Sequence, residues 1–283
     1  MSERLTVARW ELAKRLRSLR GDRGFNAVAK AVRVAPSSLA RWESTGANSS
    51  VPGLLALERL LEHYEADQET FNKLIALRSH ARKANWWQGY ELREYYGTFI
   101  SLEEAASSIA TYESTLVPGL LQTEDYSRAV TKAIRLGEPA NVVEDLVKVR
   151  CERQEKWWRN SDRRIWVIIG ETAVTQHTGG AEIMRAQIDH LRSISHDPRI
   201  TLQVLPFDAG AHAALEVASF VILHLPDDAL STVFLEGAGN SIFLDETTDL
   251  DRYEAIFNRL RAAALDTEPT RELLQRKLTE LGG

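Results

Sequence analysis

A chain of 283 residues, 44% hydrophobic and 27% charged, is long enough for two domains of unequal size, each able to bury a core. It holds no run of 18 uncharged apolar residues, its start (Met1-Ser-Glu-Arg-Leu-Thr6) lacks a secretory layout, and Cys151 is its one cysteine. Membrane insertion, export, an internal disulfide and a cysteine metal cage are therefore not expected, and a cytoplasmic protein is. The net charge of −5 is unevenly spread: residues 1–84 carry 15 Lys+Arg against 9 Asp+Glu, and the rest carry 20 against 31, so a basic small part precedes an acidic large one.

Taken in chain order, the apolar residues of the first third recur at helical spacing. Val7, Leu12, Leu16 and Leu19 share one side of a helix whose other side is filled by arginine and lysine. Gly21-Asp-Arg-Gly24 breaks it, and Phe25 to Val32 forms a short second helix. Pro36 suits the first turn of a third helix running to Glu43, because the N–H it lacks would be unpaired there. A loop at 46–50 follows, then a fourth helix on Leu54, Leu57, Leu60, Leu61 and Tyr64, and a fifth on Phe71, Leu74, Ile75 and Leu77. These five helices read as an all-α bundle over 1–84.

After Lys83 the texture changes, and a second domain is expected over 85–283. Helices are expected around Glu103 to Tyr112, Glu124 to Leu136 and Ala140 to Arg159, the last with an apolar stripe of Val142, Val143, Leu146, Val147 and Val149. Strands are expected at Ile165 to Ile169, Ile200 to Pro206, Ser219 to Leu225, Val233 to Glu236 and Ser241 to Asp245, with Gly237-Ala-Gly-Asn240 as a hairpin turn. With helices at Ala181 to His196 and Leu250 to Leu265, the second domain reads as α+β.

Residues 27–43 fit the demands of a helix-turn-helix, in which buried positions are apolar and the start of the second helix presents polar groups to the major groove. Ala29 is small enough for close helix contact. Val28, Val32, Val34, Leu39 and Trp42 supply a shared core, and Ser37, Ser38 and Arg41 are left facing outward. Arg41 can donate a forked pair to guanine, the serines can reach phosphates or base edges, and Lys14, Arg15, Arg17 and Lys30 are the candidate phosphate contacts. The stretch Ala35-Pro-Ser-Ser-Leu-Ala-Arg-Trp-Glu43 resembles the recognition helix of lambda-repressor-like, xenobiotic-response-element helix-turn-helix domains. It departs from that pattern twice: the Thr-Gln that usually opens the second helix is missing after Phe25, and Arg33 stands at the turn where the family usually has Gly. A left-handed backbone at Arg33 would cost about 1 kcal/mol relative to Gly.

In the second domain, Tyr112 to Tyr126 with its Pro118-Gly-Leu-Leu-Gln-Thr123 core, Val149-Arg-Cys-Glu-Arg-Gln-Glu155 and Ile200-Thr-Leu-Gln-Val-Leu-Pro-Phe207 together resemble the large C-terminal domain of actinobacterial regulators of the WhiJ type. The resemblance covers about 100–265. It implies a transcriptional regulator linked to development or antibiotic production, often acting with a small protein encoded beside it in an antitoxin-like arrangement. From the residues themselves, Pro118-Gly119 reads as a turn, Leu120 and Leu121 as buried, and Gln122-Thr123 as the cap of the following helix.

No histidine or cysteine spacing of a metal site is present, and no nucleophile elbow or phosphate-cradling loop. Glu171 at a strand end, with Asp208 and His212 in the loop Pro206 to His212, is the one acid/base set the residues offer, and the same loop is a candidate pocket rim. Of the tryptophan pairs Trp86-Trp87 and Trp157-Trp158, one ring each should be buried and the other should cover a neighbouring element. The sequence thus predicts a multidomain, non-enzymatic, homodimeric regulator of double-stranded DNA with no cofactor and no metal. Its large domain would bind a partner or effector. A protein-interaction module with a degenerate helix-turn-helix is the alternative.

Overall fold

The structure, a computed structural model, describes residues 7–45, 49–81, 86–90, 92, 94–226, 231–237 and 241–282. It divides into two compact units, Met1–Leu102 and Glu103–Gly283. The chain is therefore multidomain, with an all-α helix-turn-helix bundle followed by an α+β unit.

In the first unit, α1 (Val7–Arg20), α2 (Phe25–Val32), α3 (Pro36–Trp42), α4 (Leu54–His63) and α5 (Gln68–His80) follow the expected order. Their core is Leu12, Leu16, Val28, Ala29, Val32, Leu39, Leu57, Leu60, Leu61, Tyr64 and Leu74, with Val34, Trp42, Phe71, Ile75 and Leu77 packed against it. Most of these are the residues that recur at helical spacing in the sequence. Asp67 caps α5 by accepting the Thr70 N–H at 2.7 Å, and that bond holds its carboxyl below the usual range. Two residues depart from the expected polar side of α1: Trp10 is fully buried, and Arg9 is buried with its guanidinium donating to the Ser49 carbonyl. The Gly46–Ser50 loop lies only partly within the described residues.

The link between α2 and α3 closes a Schellman motif, in which the Val34 N–H reaches the Ala29 carbonyl at 2.9 Å and the Arg33 N–H that of Lys30 at 3.4 Å. This geometry requires a left-handed residue at Arg33, which sits at φ 60, ψ 50. A side chain there clashes with its own backbone where glycine would not. Arg33→Gly is expected to stabilise the first unit by about 0.5–1 kcal/mol, the strain relieved less the favourable cation at a helix C-terminus. Chemical denaturation checks it, and a lowered midpoint would refute the strain.

α6 (Glu94–Ala105) carries the boundary between the units. Within the first unit, a Cβ on Gly97 would lie 2.6 Å from the Trp87 ring, so the glycine makes room for that buried indole.

The second unit is built on a six-stranded sheet in the order β3-β2-β1-β4-β5-β6. These strands are β1 (Ser108–Glu113), β2 (Arg164–Gly170), β3 (Ile200–Leu205), β4 (Phe220–His224), β5 (Thr232–Leu235) and β6 (Ile242–Leu244). The first three are parallel and the last three form an antiparallel meander from β1. Helices α7 (Glu124–Ile134), α8 (Ala140–Trp158), α9 (Thr172–Thr175), α10 (Ala181–Ile194), α11 (Thr247–Ala263) and α12 (Thr267–Gly282) complete it. One sheet face, with Ala110, Tyr112, Ile168, Phe220, Ile222 and Val233, packs on Phe257 and Leu260 of α11. The other, with Ile109, Val167, Ile169, Leu202, Val204 and Leu223, is equally buried. Strand β3 is an edge, but α12 and the turn before it cover its end: the Val204 N–H donates to Thr270 Oγ1 at 3.1 Å, and its carbonyl accepts from Leu265 N–H at 2.9 Å.

One expectation is overturned here. The helix expected over Glu103 to Tyr112 ends at Ala105, and Ser108–Glu113 is the central strand β1. Ile109 to Tyr112 are all buried, so both faces are covered and the alternation that marks a half-exposed strand is missing. The short α9 and the whole of α12 also have no counterpart in the sequence reading. The stripe of α8 packs inward, with Val143, Val147 and Val149 buried and Val142 and Leu146 half-buried. β5 and β6 pair antiparallel as a hairpin requires, although residues 238–240 of the expected turn lie outside the described residues.

Candidate nucleic-acid interface and the large-domain cluster

α3 begins at Pro36, whose missing N–H costs nothing in the first turn, and is anchored by Leu39, which is fully buried. That anchoring turns Ser37 and Arg41 to solvent and leaves Ser38 half-buried. Arg41 Nη2 lies 3.4 Å from Ser38 Oγ, so the guanidinium runs along the outward face. Lys30 is exposed on α2. Lys14, Arg15 and Arg17 are half-buried on α1; Arg15 pairs with Glu11 at 2.7 Å, and the charge of Arg17 acts on Glu43. The exposed face of α3 thus brings together Ser37, Ser38 and Arg41, whereas the α1 cations are partly engaged within the bundle.

Behind α3 lies an ion pair that periodicity does not reveal. Arg20 Nε, at the end of α1, donates to Glu43 Oε2 at 2.7 Å, and the two side chains are 14% and 2% exposed. Arg20 also donates to the carbonyls of Gly21 and Arg23 and lies 4.1 Å over the Phe25 ring. Burial outweighs the Arg20 hydrogen bond and holds the Glu43 carboxyl above its usual range. The pair fixes the C-terminal end of α3 to the first helix.

In the large unit, the Pro118 to Thr123 segment is an internally bonded corner. Leu120 and Leu121 are buried in a single 3₁₀ turn, and Thr123 Oγ1 accepts the Tyr126 N–H at 3.4 Å as the cap of α7. Gln122 does not cap. Its amide nitrogen donates to the Val117 carbonyl at 2.7 Å, its side-chain oxygen accepts from Arg150 at 2.6 Å, and its own carbonyl accepts from Gln154 at 2.8 Å. Gln187 adds two bonds, to the Thr123 N–H and the Leu121 carbonyl. With the side-chain amide and the carbonyl of Gln122 occupied, the segment braces the loop after β1. Beside it, Arg153 grips Glu103 through two bonds of 2.8 and 2.7 Å, both side chains 5% exposed.

The carboxyl ends of β1, β2 and β3 lie along one edge of the sheet. A Cβ on Gly170 would lie 2.5 Å from the Ser114 carbonyl, so only glycine lets the end of β2 meet the loop after β1. Glu171 Oε2 accepts the Phe207 N–H at 3.0 Å and Oε1 pairs with Lys277 at 3.4 Å, while His212 Nδ1 accepts the Ala214 N–H at 3.3 Å. Asp208 is exposed. The side chains of Glu171 and His212 are therefore engaged in bracing. At the end of β1, Glu113 carries a carboxyl that burial pushes up to about 7, against the hydrogen bond from Ser219. Sequence reading missed it because a lone Glu at a strand end has no motif. Cys151 is half-buried, and burial raises its thiol.

Each tryptophan pair has one buried ring. Trp87 and Trp157 are buried; Trp158 stacks edge-on with Trp157 and is covered by the Arg199 guanidinium at 5.1 Å.

Residues 11–74 match the helix-turn-helix domain family, which makes the chain a helix-turn-helix regulator of the DNA-binding class. Residues 96–276 match a family described as a domain of unknown function (DUF5753), and the chain belongs to that family. No curated protein and no solved structure matches it. Among the described residues, no helix is long and apolar enough to cross a membrane, and no three His, Cys, Asp or Glu side chains are grouped to hold a metal.

Proposed function

We propose that this chain is a cytoplasmic, sequence-specific transcriptional regulator of the actinobacterial WhiJ type. In this reading α3 reads a short operator through Arg41, Ser37 and Ser38, and Lys30 and the α1 cations contact phosphate. The observation that carries it is the outward face of α3, where the guanidinium of Arg41 lies beside Ser38 on a helix locked from behind by Leu39 and the Arg20–Glu43 pair. A homodimer is part of this reading, because one helix-turn-helix buries little surface on DNA. The large unit is read as the non-catalytic partner- or effector-binding part, in keeping with the bracing roles of Glu171 and His212.

Arg41→Ala is expected to weaken binding to the chain's own promoter by about 10- to 100-fold and to relax preference at one base position, the loss of one forked base contact at about 1–3 kcal/mol. Lys30→Ala should weaken all sequences alike and reduce the salt slope by about one. Mobility shifts over a salt series measure both, and equal binding by wild type and Arg41→Ala would sink the assignment.

The left-handed Arg33 favours one second reading, an antitoxin-like module with a degenerate helix-turn-helix that binds a small protein encoded by an adjacent gene. It gains if promoter binding is absent at low salt while that neighbour co-purifies with the chain.

A further inference from the structure

We propose that the pocket between the ends of α2 and α4 is a phosphate site, held by the guanidiniums of Arg33 and Arg59 with the imidazole of His63 beside them. The pocket has a volume of about 390 Å³ and is lined by Ala31, Val32, Arg33, Arg59, Glu62 and His63. Val32 belongs to the core of the bundle, whereas Arg33 and His63 are exposed and Arg59 is half-buried. The cationic groups therefore surround a fixed apolar base.

Backbone strain marks the same place. The Schellman motif holds Arg33 at φ 60, ψ 50, a conformation that glycine adopts without cost. Strain kept at a residue that glycine could replace implies a use for the side chain. α4 closes in the same way at Glu65, φ 55, where the Ala66 N–H reaches the Leu61 carbonyl and the Glu65 N–H that of Glu62, both at 3.0 Å. The carbonyls of Ala29 and Lys30 on α2, and of Leu60, Leu61 and Glu62 on α4, are thereby occupied. That weakens the negative end of each helix dipole, and the side chains set the sign of the pocket.

Two guanidiniums and an imidazole line the pocket against one carboxylate, that of Glu62. Among the described residues, Arg33, Arg59 and Glu62 make no ion pair, with one another or with any other group. Other arginines of the bundle are engaged: Arg15 with Glu11, Arg20 with Glu43, and Arg78 with the Pro52 carbonyl at 2.9 Å. An unspent pair of guanidiniums in a cavity offers forked donors that match the oxygens of phosphate or carboxylate. Placement decides between the two. The pocket lies on the DNA-binding unit, at the link that leads into α3 and one turn beyond the exposed Lys30. A backbone phosphate of the operator and the phosphate of a free ester present the same oxygens to it, and the volume admits the ester group as well.

The operator as source rests on the reading of the first unit as a DNA-binding regulator; a free ester as source does not. Full-length protein is titrated calorimetrically with inorganic phosphate, with succinate as the carboxylate counterpart, and a mobility-shift salt series is run on promoter and unrelated DNA. Arg33→Gly and Arg59→Gln are compared with wild type in both. If the operator supplies the phosphate, each variant should bind both DNAs about tenfold more weakly, the scale of one lost hydrogen bond to a charged group, and lower the salt slope by about one. If a free ester supplies it, inorganic phosphate should saturate wild type, both variants should lose about tenfold, and the salt slope should stay as it is. Arg33→Gly should lose binding while raising the unfolding midpoint, which separates loss of the site from loss of the fold. Unchanged DNA binding in both variants together with no saturable phosphate binding overturns the site. Succinate bound as tightly as phosphate overturns the choice of phosphate. If wild type binds no DNA even at low salt, the regulator reading falls, and the calorimetric titration alone decides the pocket.

Discussion

Glu103→Ala is expected to lower the stability of the second unit by about 3–5 kcal/mol, the cost of removing one partner of a buried ion pair. The two side chains are 5% exposed and joined by two parallel bonds, so solvent has little access to replace the lost carboxylate. Arg153 reaches Glu103 from α8, and it also lies against Gly119, where a Cβ would stand 3.6 Å from its Nη2. The damage should therefore spread to the corner that braces the loop after β1. Removing both charges together, as Glu103→Leu with Arg153→Met, should cost far less than either single change, because the penalty comes from an unpaired charge. Urea unfolding followed by the fluorescence of the buried Trp157 distinguishes these cases. A single variant with the wild-type midpoint would show that the pair does not hold α8.

The second large effect is expected in the helix-turn-helix, and it is asymmetric. Arg20→Ala leaves Glu43 2% exposed with no partner for either oxygen, since Oε1 is already unbonded, and should cost about 3–5 kcal/mol near pH 7. Glu43→Ala should cost less. Arg20 is more exposed and keeps its bonds to the Gly21 and Arg23 carbonyls and its contact with Phe25. The sign of the pH dependence follows from the Glu43 carboxyl, which already stands above its usual range and rises further without Arg20. The folded variant then binds a proton that the unfolded chain has given up, so its stability falls as pH rises through that window and is recovered as pH drops towards 5. Denaturation at pH 5 and pH 7.5 tests this, and a penalty equal at both values would rule out a stranded carboxylate.

Much of the first unit was legible because its determinants are local. Leu12, Leu16, Val28, Val32, Leu57, Leu60 and Leu61 recur at helical spacing, and Pro36 marks the start of α3. Arg33 stands out as the turn residue through the resemblance, at the position where the family usually has Gly. The Arg20–Glu43 pair was not legible, because it joins residues 23 apart whose types are ordinary on a helix surface. In the large unit, the sequence pattern of β1 favours helix: its neighbours Glu103 to Ala106 are helix formers, and a strand buried on both faces has no period of two to find. The bond between Glu113 and Ser219 exists only through strand register, which no local pattern encodes. The Pro118 to Thr123 corner is legible in its turn residues and apolar pair, but nothing local shows that Gln122 serves Arg150, Gln154 and Val117 rather than the cap.

The cover over β3 has a consequence for any shortened form of the chain. Val204 donates its N–H to Thr270 at the start of α12 and accepts at its carbonyl from Leu265 just before it, and α12 seats Leu273 and Leu274 in the core. A chain cut before Thr267 would lose that cover as well as buried surface. It would leave the Val204 N–H as an open template for another strand, beside the apolar residues Ile200, Leu202 and Leu205 of β3. Such a truncation would favour edge-to-edge association, so α12 serves the molecule as a guard on its sheet.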